Sequence, residues 1–452
     1  MPCLYDRLFD NYKPMNKQLL TGIFLLLLHI SSHAQQALTL QECLAIGLEQ
    51  NYAIRIARNN EAITANNVTR GHAGFLPTLD LRSQQSGSLN NTDQHLAGGG
   101  QNRLRGIHNT TSNASLSLGW TLFDGFRVQT TYDRLEALQE MGELSTRMAV
   151  ENLMARIAAE YYNYIQQQRL LNNLQYAVAL SRERTRIDEE RFLIGSGSKL
   201  QLLQSQVFLN ADSSRLGRQY EVVRAARIRL NELMAMDDMH GDIATADTTI
   251  TLIPIMVFER LREDALRENT ALLIASQNVL ISEYDRKIIA SRAYPYLTLS
   301  SGYGLTYNTF ETGSLSSQQT MGMSYGLTLG INLFDGLNQR RRMSNAIIEL
   351  ENRQFLVEEV EKGVMADLIT IYNAYINNLQ LLEMENQNLE VAYETLDIAL
   401  DRYRLGALSG LELREAQQSL LQAEERLLSI QYQVKLAEVS LMQISGRILE
   451  YL

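Results

Sequence analysis

Two carboxylates in this chain have the type and spacing of a functional pair: Glu412 and Glu415. Three residues apart, they share one face of a helix, just past a glycine-centred break at Gly406 to Gly410. Spacing alone leaves it open whether such a pair has a function or is a solvated surface pair. Arg414 lies between them in sequence. Little other chemistry can be assembled. Cys3 and Cys43 are too few for a disulfide framework or a zinc site, and the six His lack metal-ligand spacing. No nucleophile stands with a base. Gly98-Gly99-Gly100 and Gly195-Ser196-Gly197 neither follow a strand nor open a helix in the frame that cradles phosphate. The reading is therefore of a protein that is not an enzyme and carries no cofactor or metal.

Composition narrows the class further. A chain 45% hydrophobic and 20% charged buries enough apolar surface to fold. Its 41 basic and 51 acidic residues give a net charge of -10 with no Lys/Arg-rich block, which argues against nucleic acid as a partner. No run reaches the roughly 20 apolar residues of a membrane-spanning helix. A bilayer crossing would have to be made by a β-barrel.

Residues 1–34 read as a signal peptide. From Met15 the chain runs Met-Asn-Lys-Gln, Leu19 to Ile30 is almost wholly apolar, and Ser32-His33-Ala34 supplies small residues for cleavage. Translation is read as starting at Met15, with residues 1–14 an upstream extension. Cys43 lies eight residues past the cut, which does not support a lipid-modified N-terminal cysteine.

The remainder is two copies of one unit. Shifted by 218 positions, Leu48, Asn51, Ala53, Ile56 and Ala57 fall on Leu266, Asn269, Ala271, Ile274 and Ala275, and Pro77 falls on Pro295. Beyond the prolines the shift is 211: Leu122-Phe123-Asp124-Gly125 matches Leu333-Phe334-Asp335-Gly336, and Arg191 and Gly195 match Arg402 and Gly406. The first repeat spans 35–236, a linker 237–256, and the second repeat 257–452.

Each copy runs helix, proline, Gly-rich stretch, Leu-Phe-Asp-Gly, very long helix, glycine break, helix. The Gly-rich stretches alternate with period two. From Met321 to Leu333 every odd position is apolar and every even one small or polar, the mark of a strand with one greasy face. Strands are expected at about 78–90 and 113–123, and at about 296–308 and 321–334, joined by polar loops at Gln84 to Asn113 and Asn308 to Thr320. Pro77 and Pro295 head the strand pairs. Asp124 and Asp335 are expected to cap the following helices, with Gly125 and Gly336 easing the bend.

After these corners the period becomes helical. Arg127 to Ile194 is 68 residues without proline, a rod of roughly 100 Å at ~1.5 Å per residue. Asn338 to Leu405 repeats it. Stripes of this length mean helix packed on helix as a coiled coil. Tips are expected at 195–199 and 406–411, where glycine takes the conformation that costs other residues. Four strands cannot close a barrel, and an open edge in lipid leaves amides unpaired at several kcal/mol each. Chains would pool strands, two copies giving eight, three twelve, four sixteen. The alternative is a soluble periplasmic coiled-coil scaffold with a β-sandwich head.

Over residues 38 to 446 the chain resembles the TolC-like outer membrane efflux proteins of Gram-negative bacteria. The resemblance rests on the tandem repeat, Pro77 and Pro295, the two Leu-Phe-Asp-Gly corners, and the tips Arg191-Phe192-Leu193-Ile194-Gly195 and Arg402-Tyr403-Arg404-Leu405-Gly406, with Gln206 and Gln417 downstream. It implies a mixed, mainly α fold in which each chain gives four strands to a trimeric twelve-stranded barrel in outer membrane lipid, continued by a periplasmic α-barrel. It implies a passive exit duct of a tripartite efflux or type I secretion system, a homotrimer joined to an inner membrane pump by a periplasmic adaptor. Adaptor docking would fall at the tips, on Arg191, Gly195, Ser198, Arg402, Gly406 and Ser409. Glu412 and Glu415 would ring the periplasmic aperture, where mutual repulsion raises their pKa values, while Arg414 departs from the family pattern. The matching first-copy positions are Gln201 and Gln204. Nothing in the chain specifies whether drugs, metal ions, polysaccharide or protein are exported.

Overall fold

A computed structural model describes residues 37–451; the signal-peptide expectation for residues 1–34 lies outside the described residues. Helices α1 (Leu40–Gln50), α2 (Tyr52–Asn67) and α3 (Arg70–Ala73) lead into strands β1 (Thr78–His95) and β2 (Gln101–Phe123). The long α4 (Arg127–Leu193) turns back as α5 (Lys199–Leu233). The second half follows the same order. Helices α6 (Phe258–Glu268) and α7 (Thr270–Ser291) precede β3 (Tyr296–Thr309) and β4 (Ser317–Gly330), then α8 (Asn338–Arg404) and α9 (Gly410–Ile444), with a short 3₁₀ turn at Ile448–Tyr451.

The two halves match in detail. Both α4 and α8 have 67 residues, and both α5 and α9 have 35. Asn51 ends α1 and caps α2, accepting from the Ala53 N–H at 2.9 Å, and its amide donates to the Leu233 carbonyl at 2.9 Å. Asn269 does the same 218 residues later: it accepts from the Leu272 N–H at 3.1 Å and donates to the Ile444 carbonyl at 2.9 Å. Each asparagine therefore caps one helix and satisfies an orphan carbonyl at the end of another.

The strands form one antiparallel sheet in the order β1-β2-β3-β4. Register puts Leu118 opposite both Leu79 and Ser301, Leu116 opposite Leu81 and Tyr303, and Leu327 opposite Leu299. One face therefore carries Leu79, Leu81, Leu116, Trp120, Tyr303 and the whole apolar row Met321 to Leu329. The other carries Thr121, Thr298, Ser300, Gly326 and Thr328. Among the described residues nothing covers the apolar face: Leu81 is 78% exposed, Tyr325 84% and Leu329 74%. This overturns the β-sandwich alternative, which requires a second sheet over that face. The outer edges of β1 and β4 have no strand partner among the described residues.

The polar loop expected at Gln84 to Asn113 is instead strand. Pairing runs from Thr78↔Gly119 to His95↔Gln101, closing at a turn where the Leu96 N–H bonds the Gly100 carbonyl at 2.9 Å. Alternation is lost there because, Ile107 apart, the ribbon's residues on both faces are exposed or half-buried and mostly polar, so its composition hid its pairing. The fourth strand also shifts: it begins at Ser317 and stops at Gly330, short of the expected 334.

Four apolar clusters hold the helical part together. The largest packs Cys43, Leu44, Ile54, Ile157, Tyr161, Leu230 and Val439, joining α1, α2, α4, α5 and α9. A second joins α6, α8 and α9 around Leu261, Leu368, Tyr375 and Leu441. A third packs Leu396, Tyr403, Leu413 and Leu420 near the second tip, and a fourth packs Tyr164, Leu171, Val223 and Ala226 between α4 and α5. No described helix is long and apolar enough to cross a membrane.

Candidate functional site

At each strand-to-helix corner two successive residues adopt left-handed backbone: Gly125 and Phe126 at φ 70° and 68°, Gly336 and Leu337 at 70° and 62°. Pro77 and Pro295 sit immediately before β1 and β3. The capping expectation for the aspartates needs correction. The N-cap positions are Phe126 and Leu337, and neither makes a side-chain cap. Asp124, two residues earlier, reaches forward to accept from the Val128 N–H at 3.2 Å and Arg127 Nε at 3.0 Å. Asp335 accepts from Arg342 at 2.8 Å and no backbone N–H of α8. The double left-handed turn swings the helix start away from each carboxylate, and only Asp124 spans the gap.

At the far end the two tips are built alike. Gly195 and Gly406, both at φ 78°, close the α4 and α8 C-termini; the Ser196 N–H reaches the Arg191 carbonyl at 2.8 Å and the Ala407 N–H the Arg402 carbonyl at 2.9 Å. Ser198 and Ser409 then start α5 and α9 through capping boxes. Gln201 and Glu412 return bonds of 3.0 Å to the N–H groups of Ser198 and Ser409. Between these anchors the tips show bare apolar residues: Ile194, Leu200, Leu405 and Leu411 are all exposed.

Glu412 is thus a capping residue in the single chain. Its carboxyl is held below the ordinary range by hydrogen bonds from the Ser409 hydroxyl and backbone N–H. Glu415 is exposed beside it. Arg402 is exposed and reaches its own helix end at the Ala407 carbonyl, 3.5 Å away. Arg191 crosses to the other hairpin: its guanidinium donates to the Tyr403 carbonyl and lies 4.7 Å from that ring's centroid.

Arg414 is buried, not beside Glu412 in the solvent field. Two residues along a helix is a rotation of about 200°, which places it on the opposite face. There its two terminal nitrogens fork onto Asp212 of α5 at 2.6 and 2.8 Å, with only 7% and 1% of the two side chains exposed. Ser181 of α4 also donates to Asp212. Arg184 and Arg414 both lie about 5 Å from the Phe208 ring, at 5.1 and 5.0 Å. Next to this, Asp188 faces Arg184 at 3.8 Å and accepts from the Tyr403 hydroxyl. Burial and the hydrogen bond to Asp188 push that phenol up to about 12. Sequence reading missed this network. The signal available was that Arg414 falls among Leu413, Ala416, Gln417 and Leu420, the inward stripe of α9.

A sheet greasy on its bare face and polar on the other, joined to coiled rods, defines the wall of a membrane channel. A family model for outer membrane efflux proteins matches residues 46–235 and 261–447, and the chain belongs to that family. It is an outer membrane channel protein of the efflux and secretion type, with a large periplasmic helical portion. Nodulation protein T of Rhizobium leguminosarum bv. trifolii is 24% identical over 396 residues, covering 83% of this chain and 78% of that protein. The proteases secretion protein PrtF of Dickeya chrysanthemi is 20% identical over 436 residues, covering 94% and 91%. Among solved structures, the Campylobacter jejuni CmeC outer membrane channel superposes with a TM-score of 0.74 at 15% identity, over 90% of this chain and 86% of that one.

Proposed function

We propose that three copies of this chain assemble into a passive exit duct, with twelve strands in the outer membrane and a helical tunnel through the periplasm. The observation that carries the reading is the sheet: an uncovered apolar face, a polar opposite face and two open edges. Row Met321 to Leu329 is nine residues, matching the ~9–11 of a tilted barrel strand. Joining β4 of one copy to β1 of the next would satisfy both edges, and twelve strands would leave a water-filled bore where eight leave little. Adaptor docking is proposed at the hairpin tips, where Ile194, Leu200, Leu405 and Leu411 present apolar surface around Arg402, Ser198 and Ser409. Arg191 serves there by tying one hairpin to the other, and Gly195 and Gly406 by shaping the turns. An inner membrane pump would supply the energy. Glu412 and Glu415 are proposed to line the periplasmic mouth.

The test is extraction and reconstitution. The protein should require detergent for release from outer membranes, run as a heat-modifiable trimer, and give discrete conductance steps in planar bilayers. Release as a soluble monomer with its sheet intact would end the reading.

A further inference from the structure

A cavity of about 620 Å³ lies where the turn after β4 and the start of α8 meet the segment following α7 and the first corner. Four guanidinium groups line it: Arg127, Arg292, Arg340 and Arg342. Two carboxylates do so as well, and both are engaged, Asp124 with Arg127 at 3.0 Å and Asp335 with Arg342 at 2.8 Å. Arg292 and Arg340 have no ion-pair partner among the described residues, and both are exposed. The cavity therefore holds two uncompensated positive charges in a chain whose net charge is -10. Thr121 and Thr298, cross-strand partners on the polar face of the sheet, form part of its lining. That is the face turned toward the bore in the duct reading, on which this inference rests.

We infer that this cavity binds phosphate-type anions in transit, and that its copies around the assembly form a positive collar where the barrel meets the helical tunnel. Arginine forks match the spacing of phosphate oxygens and stay charged at every physiological pH. A concave wall screens them less than open surface does. Threonine hydroxyls and the Asn332 amide in the same lining supply neutral donors. A ring of fixed like charges is how pores choose the sign of the ion they pass. The collar is opposite in sign to Glu412 and Glu415 at the other end of the tunnel, so the two ends would retain different solutes.

The full chain is reconstituted in bilayers of phosphatidylcholine alone, and single-channel current is recorded in a KCl gradient with inorganic pyrophosphate added to one side. Pyrophosphate should reduce the current of the wild-type channel, less so as ionic strength rises. The Arg292→Gln/Arg340→Gln double variant should need about tenfold more pyrophosphate for equal block, and its reversal potential should move toward cation preference. The Arg292→Lys/Arg340→Lys variant should keep the wild-type reversal potential. Equal block and equal selectivity in the Gln variant, in channels of normal conductance, would overturn the collar while leaving the duct intact. Block that vanishes when anionic phosphatidylglycerol is added would also overturn it, since a lipid headgroup would then occupy the arginines. A folded, detergent-extracted protein that opens no channel at all counts against the duct reading instead.

Discussion

Arg414 and Asp212, 202 residues apart, meet in a two-pronged ion pair that locks the second tip hairpin onto the first. Both side chains are out of solvent, so each is tolerable only because of the other. Asp212→Asn leaves the Arg414 charge buried without its counterion and should cost roughly 3–5 kcal/mol. Replacing both, Arg414→Met with Asp212→Leu, should recover most of that loss. Thermal melts of the detergent-solubilised variants decide it. A single substitution as mild as a surface change, within about 0.5 kcal/mol, would show that the pair is not the brace its geometry describes.

The two corner glycines share a backbone conformation but not a neighbourhood, so they should respond differently to a methyl group. A Cβ on Gly336 meets nothing closer than 3.6 Å, leaving only the left-handed strain of about 1–2 kcal/mol. A Cβ on Gly125 lands 2.5 Å from the Ser291 carbonyl oxygen and 2.7 Å from Tyr294 Cβ. Gly125→Ala should therefore destabilise assembled protein clearly more than Gly336→Ala, as measured by the amount of heat-modifiable species recovered from outer membranes. Equal recovery of the two variants would refute the argument.

Glu424 gives the rod a pH dependence of predictable sign. Burial raises its carboxyl pKa, opposed by the Tyr393 hydroxyl, which donates to it at 2.6 Å. A raised carboxyl binds its proton more tightly folded than unfolded. Its contribution is therefore full below the unfolded value of about 4.3 and is lost as pH climbs through the higher folded value. Glu424→Gln keeps an acceptor for Tyr393 and removes the charge. The variant should be more stable than wild type near pH 7 and converge with it near pH 4, a comparison that melts across that range make directly.

Glu412 and Glu415 are separable by the capping box. If the pair lines the mouth, Glu412→Gln/Glu415→Gln should lose divalent-cation block of single-channel current, with the helix start preserved because Gln201 already does this capping work in the first tip. Ser409→Ala should instead weaken the tip by about 1 kcal/mol and leave Glu415's effect on cations in place. Unchanged divalent block in the double variant removes both glutamates from the aperture.

Much of this architecture was legible because it repeats with simple periods. The alternation from Met321 to Leu333 announced a strand with one greasy face, and the proline-free run from Arg127 announced a rod. The ribbon between Gln84 and Asn113 was not legible, because a strand mostly polar on both faces has no apolar period to read. Asn51 and Asn269 stood out as a matched pair, yet their shared work on the Leu233 and Ile444 carbonyls depends on helix ends 182 and 175 residues away. Arg414 was misplaced for a related reason. The two glutamates that flank it, Glu412 and Glu415, face solvent, while its energetic partner Asp212 lies in the other half of the chain. Ser409-x-x-Glu412 was a readable capping signature, and its charge drew attention away from that structural duty.

The bare edges of β1 and β4 also bear on how the protein reaches its place of work. A freshly exported copy has a greasy panel exposed to water and two unzipped seams, any of which would stick to whatever strand passes by. If copies join edge to edge as proposed, the interval before they meet is the one in which these seams are most open to wrong pairing.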